Sequence, residues 1–205
     1  MSSKRAQSAI LVTLTTVALL CSAERGNAQY SRHYIDADSL AYAKALALTQ
    51  LADLGPPYTT FDSILQGDVV VILADLNRGL SGHSRATGPV DGKPAIFIDA
   101  SHPERAGLIS IHEGWHLEAL HTSFPPPETT AELITYHCEE VESHCATLAA
   151  VNGASNPISC VDKDYLIESM IYDARICLLG PGVSGPIQIG CPGLTGGQIN
   201  ELPCE

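Results

Sequence analysis

The sequence is poor in aromatic and in basic side chains. Aromatic residues make up 5% of its 205 residues, and Lys and Arg number 11 against 23 Asp and Glu, which gives a formal net charge of -12. Nucleic-acid binding needs a basic patch that releases counterions, so this balance argues against a nucleic-acid partner. Beyond the N-terminal segment, no stretch approaches the roughly 18 consecutive apolar residues of a membrane-spanning helix. We therefore expect an acidic protein with no stable membrane insertion.

The N-terminal segment 1–28 has the pattern of a secretory signal peptide. Lys4 and Arg5 precede an apolar run over about 9–23, and small residues lead up to a predicted cleavage site after Ala28. This pattern predicts a secreted or periplasmic protein.

A lipoprotein anchored through Cys21 is disfavoured, because Leu20 stands where a small residue is needed.

The remaining residues 29–205 are long enough for one domain with a hydrophobic core and too short for two ordinary ones. We expect a single domain with a cysteine-rich C-terminal segment at about 160–205.

The cysteines contain no Cys-x-x-Cys pair, which argues against a cysteine-bound zinc. Apart from Cys21 they form an even set, as expected for disulfides in an oxidising compartment. If Cys138 and Cys145 share a helix, they lie roughly 10 Å apart, too far for a mutual disulfide. Each must then pair with a cysteine of the segment 160–204, or one of them stays free. The six are Cys138, Cys145, Cys160, Cys177, Cys191 and Cys204.

Hydrophobic periodicity predicts an α+β protein without internal repeats. Apolar residues at helical spacing indicate helices, and short β-branched runs indicate strands, although a short apolar run fits either. The predicted elements are a helix over 35–54 ended by 55–57, a buried strand or short helix at 67–76, a loop at 79–92, a strand at 93–101, a helix at about 162–178 and a disulfide-stapled coil at 179–205.

The segment ISIHEGWHLEALH at 109–121 carries most of the chemistry. Ser101 and Glu104 form a possible capping box, which predicts a helix from there to about His121. Its apolar stripe places the indole of Trp115 in the core. The other members of the stripe are Leu108, Ile111 and Ala119.

Beside this stripe, HEGWH matches the pattern HExxH. His112 and His116 are one helical turn apart, so both rings can offer a nitrogen to one zinc ion. Glu113 then lies next to a zinc-activated water and is the expected general base. The alternative interpretation is a pair of metal-free core histidines.

A catalytic zinc usually has a third protein ligand, and two patterns could supply it. The metzincin pattern HExxHxxGxxH does not fit, because Ala119 replaces its glycine and Thr122 its third histidine. His121 stands one position early, where it could still line the cleft. A ligand from a second helix is the remaining possibility.

Thr129 and Glu132 form another capping box, which predicts that second helix, ending at Gly153. Three glutamates lie in its middle: Glu139, Glu140 and Glu142. At about 100° per residue, only Glu140 falls among inward-facing residues, whereas the other two turn toward the side that carries Ser143. A buried carboxylate needs a compensating cation, so Glu140 is the predicted third ligand.

Two stretches, IFIDASHPERAGLISIHEGWH at 96–116 and EEVESHCA at 139–146, together resemble the gluzincin branch of the zincin metallopeptidases. In that branch an edge strand precedes the HExxH helix, and a later helix supplies a glutamate in a motif like E-x-E-A-D-x-x-A. Here Ser143 and Thr147 replace the two alanines and His144 replaces the aspartate.

The resemblance covers about 95–148 and implies a zincin-like fold. It implies His112, His116 and Glu140 as zinc ligands, with Glu113 as the base. The strand Ala95–Ile98 would then be the edge strand, to which an extended peptide could add.

Several residues are candidates for stabilising the oxyanion. Tyr136 and His144 flank Glu140 by one turn each way, so both face its side of the helix. His137 and His121 are further candidates, and His144 is favoured over the others. A hydrogen bond that orients one of the zinc ligands is an equally good role for His144.

These observations predict a secreted zinc metallopeptidase that hydrolyses peptide bonds in a peptide or protein substrate. Two alternatives stay open. One is a secreted binding or scaffold protein with a structural zinc or no metal, in which His144 or His121 would close the site. The other is a zinc-dependent amide hydrolase that acts on cell-wall material.

Overall fold

The computed structural model describes the chain in seven parts. These are residues 32–54, 59–76, 81–119, 127–154, 158–187, 190–191 and 204. The predicted signal peptide 1–28, the helix stop at 55–57 and His121 lie outside the described residues.

Four strands and five helices make up the described residues. The strands are β1 (Arg32–Tyr34), β2 (Val70–Asp75), β3 (Gly82–Arg85) and β4 (Ala95–Asp99). The helices are α1 (Ala37–Leu54), α2 (Thr59–Gln66), α3 (Ala106–Glu118), α4 (Thr130–Gly153) and α5 (Cys160–Leu179). This confirms the α+β class and the helices predicted at 35–54 and at about 162–178.

The strands form one mixed sheet in the order β1-β2-β4-β3. The central strands β2 and β4 are parallel, and β1 and β3 pair antiparallel at the two edges. The run 67–76 is therefore a strand and not a short helix. Its β-branched residues favour that choice, because they pack well on a pleated surface.

Strand β4 is not the edge strand that the sequence predicted. It pairs with β2 on one side and with β3 on the other, which makes it central. The edge strand beside β4 is β3, which lies inside the segment 79–92 that was predicted as a loop. The strand escaped prediction because its four residues, Gly-His-Ser-Arg, have no apolar alternation and are held by pairing with β4.

Both faces of the central strands are buried, which explains their nearly continuous apolar sequence. One face packs against the helices and belongs to the main core, and the other forms a smaller apolar cluster. The side chains on the helical face are Val71, Leu73, Ile96 and Ile98. Those on the other face are Ile72, Ala74, Ala95 and Phe97.

The start of α3 differs from the predicted capping box. Ser101 Oγ donates to Asp99 at 2.7 Å, and a short 3-10 turn precedes the helix, which begins at Ala106. Gln50 of α1 takes the place of the cap: its Oε1 accepts from the Gly107 N–H at 2.7 Å. A side chain from a neighbouring helix therefore satisfies a free donor of the first turn.

The capping box at the start of α4 is confirmed. Thr129 Oγ1 accepts from the Glu132 N–H at 3.2 Å, and the Glu132 carboxylate accepts from the Thr129 N–H at 2.9 Å. Two free donors are thereby satisfied at the end of the helix that carries Glu140.

Three disulfides tie the C-terminal half together. They are Cys138–Cys177, Cys145–Cys191 and Cys160–Cys204. The first joins α4 to α5, and the other two join these helices to the C-terminal segment. As predicted, Cys138 and Cys145 share a helix and each pairs with a later cysteine. Three disulfides suggest an extracytoplasmic protein.

Candidate metal centre

Helices α3 and α4 bring two imidazoles and one carboxylate together. His112 Nε2 lies 3.1 Å from Glu140 Oε2, and His116 Nε2 lies 3.4 Å from Glu140 Oε1. The two ring centroids are 5.2 Å apart, because the residues are separated by one helical turn. The three predicted ligands thus converge from two helices, although His116 and Glu140 are 24 positions apart in the sequence.

These three residues fit a divalent metal ion. Their donor atoms all lie within 4.8 Å of one another. His116 is only 4% exposed; its Nε2 lies 3.4 Å from Glu140 Oε1, and its Nδ1 has no hydrogen-bond partner among the described residues. A buried imidazole that is not fully hydrogen-bonded is costly unless something else binds it. Two histidines and a glutamate are also a usual ligand set for catalytic zinc.

Electrostatics support a charged Glu140 in this cluster. Burial alone raises the pKa of Glu140, but hydrogen bonds with His112 and His116 outweigh it and hold the pKa well below its usual range. For His112, burial lowers the pKa, and the Glu140 carboxylate more than reverses this effect. Each partner thus favours the charged form of the other, as a bound cation would for Glu140.

Glu113 points in a different direction from the three ligands. Its side chain is buried and lies against the edge strand, where a Cβ added at Gly82 would be 3.3 Å from Glu113 Oε1. His83 of the same strand is within electrostatic range: burial lowers the pKa of His83, and the Glu113 charge partly offsets that effect. The base candidate thus lies between the histidine pair and the exposed edge of the sheet.

Tyr136 and His144 both lie near Glu140. Burial raises the pKa of Tyr136 well above its usual value, and the charge of Glu140 and a hydrogen bond to it add to this rise. The His144 ring is 4.7 Å from that of His112, and its Nε2 is 3.1 Å from Asp173 Oδ2. Burial lowers the pKa of His144 more than Asp173 raises it.

Asp173 of α5 is a site residue that the sequence interpretation missed. It is 7% exposed, and its carboxylate lies between His144 and His137, whose Nδ1 is 2.6 Å from Asp173 Oδ1. The sequence does contain an indication of this role, because Asp173 is an acidic residue within the otherwise apolar buried stripe of α5. The apolar members of that stripe are Leu166, Met170, Ala174 and Ile176.

Ser143 corrects the helix-face argument that selected Glu140. It was assigned to the outward side, yet it is fully buried, and its Oγ lies 3.1 Å from His112 Nε2 and 3.2 Å from Nδ1. Helix α4 packs against α3 on one side and α5 on another, so its buried sector is wider than a single stripe. Glu140 was placed correctly, and Glu142 is exposed as expected.

Trp115, predicted to be a core residue, is only partly buried, and its ring stacks edge-on against His116 at 5.3 Å. It therefore shields one ligand of the cluster.

Comparison with known proteins found no relative of this chain. No protein-family model, curated protein or solved structure matches the chain. Within the described ranges, no helix has both the length and the apolar character for crossing a membrane. Fold and site define a small, disulfide-bonded α+β protein with a group of residues that could bind a metal ion.

Proposed function

We propose that this protein is a secreted zinc metallopeptidase with a zincin-like arrangement of its active-site helices. The observation that carries the proposal is the convergence of His112, His116 and Glu140, with Glu113 next to the first histidine on the same helix. The three disulfides fit a secreted enzyme.

The three ligands would hold the zinc ion, which supplies Lewis acidity and lowers the pKa of a water molecule at the site. Glu113 accepts the proton of the attacking water at its carboxylate and returns it to the nitrogen of the leaving amine. Its position supports this role, because it lies beside the ligands without belonging to their group.

The edge strand β3 is the surface on which the substrate is expected to bind. Within the described part of the chain, β3 is an end strand of the sheet and pairs with β4, a position at which an extended peptide could add as a further strand. Gly82 and His83 lie at this edge beside Glu113. A peptide paired here would bring its backbone carbonyl groups to the level of α3, which favours peptide over other substrates.

Tyr136 is well suited to stabilise the oxyanion. A phenol is protonated at neutral pH, and burial together with the Glu140 charge raises the pKa of Tyr136 further, so its O–H remains a hydrogen-bond donor. His144, the residue favoured by sequence, has its Nε2 bound to Asp173 and its Nδ1 buried. We therefore assign the oxyanion role to Tyr136 and a supporting role to His144.

A closed structural zinc site is less well supported than an open catalytic one. A structural zinc usually has four protein ligands, and the described residues supply three at the position of His112 and His116. The cell-wall amidase uses the same chemistry, so substrate assays on peptides and on peptidoglycan must separate the two.

The first test is the zinc content of the oxidised protein from residue 29, measured by elemental mass spectrometry. We expect zinc in the wild type and loss of it from this site in His116→Ala, because an imidazole ligand is removed. His102→Ala is the matched control, since His102 is exposed at the start of α3. A folded wild type that takes up no zinc when supplied with it would refute the proposal.

A further inference from the structure

A second group of metal-binding side chains adjoins the first. Glu140, His144 and Asp173 each offer one donor atom, and these atoms all lie within 4.8 Å of one another. Both groups contain Glu140, and the His112 and His144 ring centroids are 4.7 Å apart. Two sets of donors, from three helices, therefore share one carboxylate.

The imidazole–carboxylate distance in the second group equals that in the first. His144 Nε2 lies 3.1 Å from Asp173 Oδ2, and His112 Nε2 lies 3.1 Å from Glu140 Oε2. Two ligands of a tetrahedral zinc, each about 2.0–2.1 Å from it, are about 3.4 Å apart. A small movement of either pair would place both donors at bonding distance from one ion.

Asp173 is held as a metal-binding carboxylate usually is. His137 is 1% exposed, and its Nδ1 contacts Asp173 Oδ1 at 2.6 Å, which leaves Oδ2 directed toward His144. Hydrogen bonds of this kind orient metal ligands from outside. Among the described residues, the ion-pair partners of Asp173 are these two histidines and no Lys or Arg.

Burial makes a positive counter-charge near Asp173 favourable. Its carboxylate is 7% exposed and His144 is 6% exposed, with His144 Nδ1 buried and without a partner among the residues described. A dication at the first site would offset Glu113 and Glu140. Asp173 would then remain a buried charge beside two imidazoles, an arrangement that is costly without a further cation.

We propose that Glu140, His144 and Asp173 form a second divalent-cation site, so that the centre holds two zinc ions and shares Glu140 between them. This inference rests on the proposed function, because Glu140 is also a ligand of the first zinc. Two metal ions about 3.5–4 Å apart are the arrangement of many hydrolases, in which they act on both the attacking and the leaving group. His144 then acts as a ligand, and Tyr136 alone remains to donate to the oxyanion.

Zinc stoichiometry tests the second site and the proposed function separately. Full-length oxidised protein is saturated with zinc, desalted and analysed by elemental mass spectrometry together with Asp173→Asn and the matched control Asp164→Asn. Asp164 is an exposed aspartate on the same helix. We expect about two zinc ions in the wild type and the control, and about one in Asp173→Asn.

Other numbers of zinc ions per chain would overturn one or both proposals. No zinc in the wild type overturns both proposals. One zinc in the wild type, unchanged in Asp173→Asn, leaves the peptidase proposal standing and overturns the second site.

A measurement on the wild type alone covers the case in which Asp173→Asn does not fold. X-ray absorption of the zinc-saturated protein should show scattering from a second zinc at about 3.5–4 Å. A spectrum that contains only nitrogen, oxygen and imidazole shells would overturn the inference.

Discussion

Glu113 and Glu140 are both buried acidic residues, but their neighbours differ. Both oxygens of Glu140 face imidazoles, at 3.1 and 3.4 Å, whereas Glu113 lies against the edge strand near Gly82. The same side-chain chemistry can therefore serve as a ligand in one place and as a proton acceptor in the other. Substitutions that change one carboxylate at a time separate the two roles.

Glu113→Gln should abolish hydrolysis and leave the zinc in place. The amide keeps the size of the side chain but cannot take up the proton, and general base catalysis contributes about 10²- to 10⁴-fold to such reactions. The measurements are kcat on a peptide substrate and zinc per chain. A variant with nearly full kcat would contradict the proposed mechanism.

Glu140→Ala should weaken zinc binding by more than about 100-fold, because loss of even an outer-shell partner costs 10- to 100-fold. Glu142→Ala, an exposed neighbour on the same helix, should bind zinc like the wild type. Competition with a chromogenic chelator measures both affinities. Equal weakening in the two variants would show that the helix face was assigned wrongly.

At the scale of elements, α3 is positioned by contacts on several sides. Gln50 binds the backbone of its first turn, β3 packs against Ile109 and Glu113, and α4 carries the third ligand. The two helices of the site differ in how they begin. Helix α4 has its own capping box, whereas the first turn of α3 depends on a side chain from α1.

Gly82→Ala tests the close contact between β3 and α3. The added methyl group would collide with the Ile109 side chain, and overpacking of this kind costs about 1–3 kcal/mol of unfolding free energy. Gly153→Ala is the control, because a Cβ there meets nothing within 4 Å. Chemical denaturation should show a loss only in the first variant. Equal stability of both would mean that β3 lies farther from α3.

Glu132 links the stability of α4 to pH. Hydrogen bonds from the Thr129 and Glu128 backbone N–H groups lower the pKa of Glu132. Its stabilising effect is therefore complete above its usual pKa and is lost as the pH falls through the lowered folded-state value. The difference in Tm between wild type and Glu132→Ala should be largest near neutral pH and vanish in strong acid. A difference that persists below pH 2 would contradict this.

At the scale of the whole molecule, the disulfides tie together α4, α5 and the C-terminal segment. Cys145 directly follows His144, and its bond to Cys191 spans 46 residues, while Cys160–Cys204 spans 44 residues farther from the ligands. Replacing either pair by serines should cost about 4 kcal/mol, as loops of this length imply. Only the first replacement should also change the absorption spectrum of the cobalt-loaded protein. Identical spectra would show that the site does not depend on this disulfide.

Several elements and most of the site follow from local pattern. Helices α1 and α5 were predicted from apolar spacing, and the cap of α4 from Thr129 and Glu132. HEGWH identified both histidines, and burial of charge singled out Glu140. These predictions succeeded because the relevant interactions span one or two helical turns, where sequence spacing translates directly into geometry.

What the sequence alone determined is thus the α+β class, the two histidines, the glutamate that joins them and the pairing of the α4 cysteines with later residues. Only the tertiary structure decided that β3 is the edge strand, that Gln50 replaces the cap of α3, and that Asp173 joins the site. Each of these depends on residues that are distant in the chain and adjacent in space. Periodicity along one element carries no information about which other element packs against it.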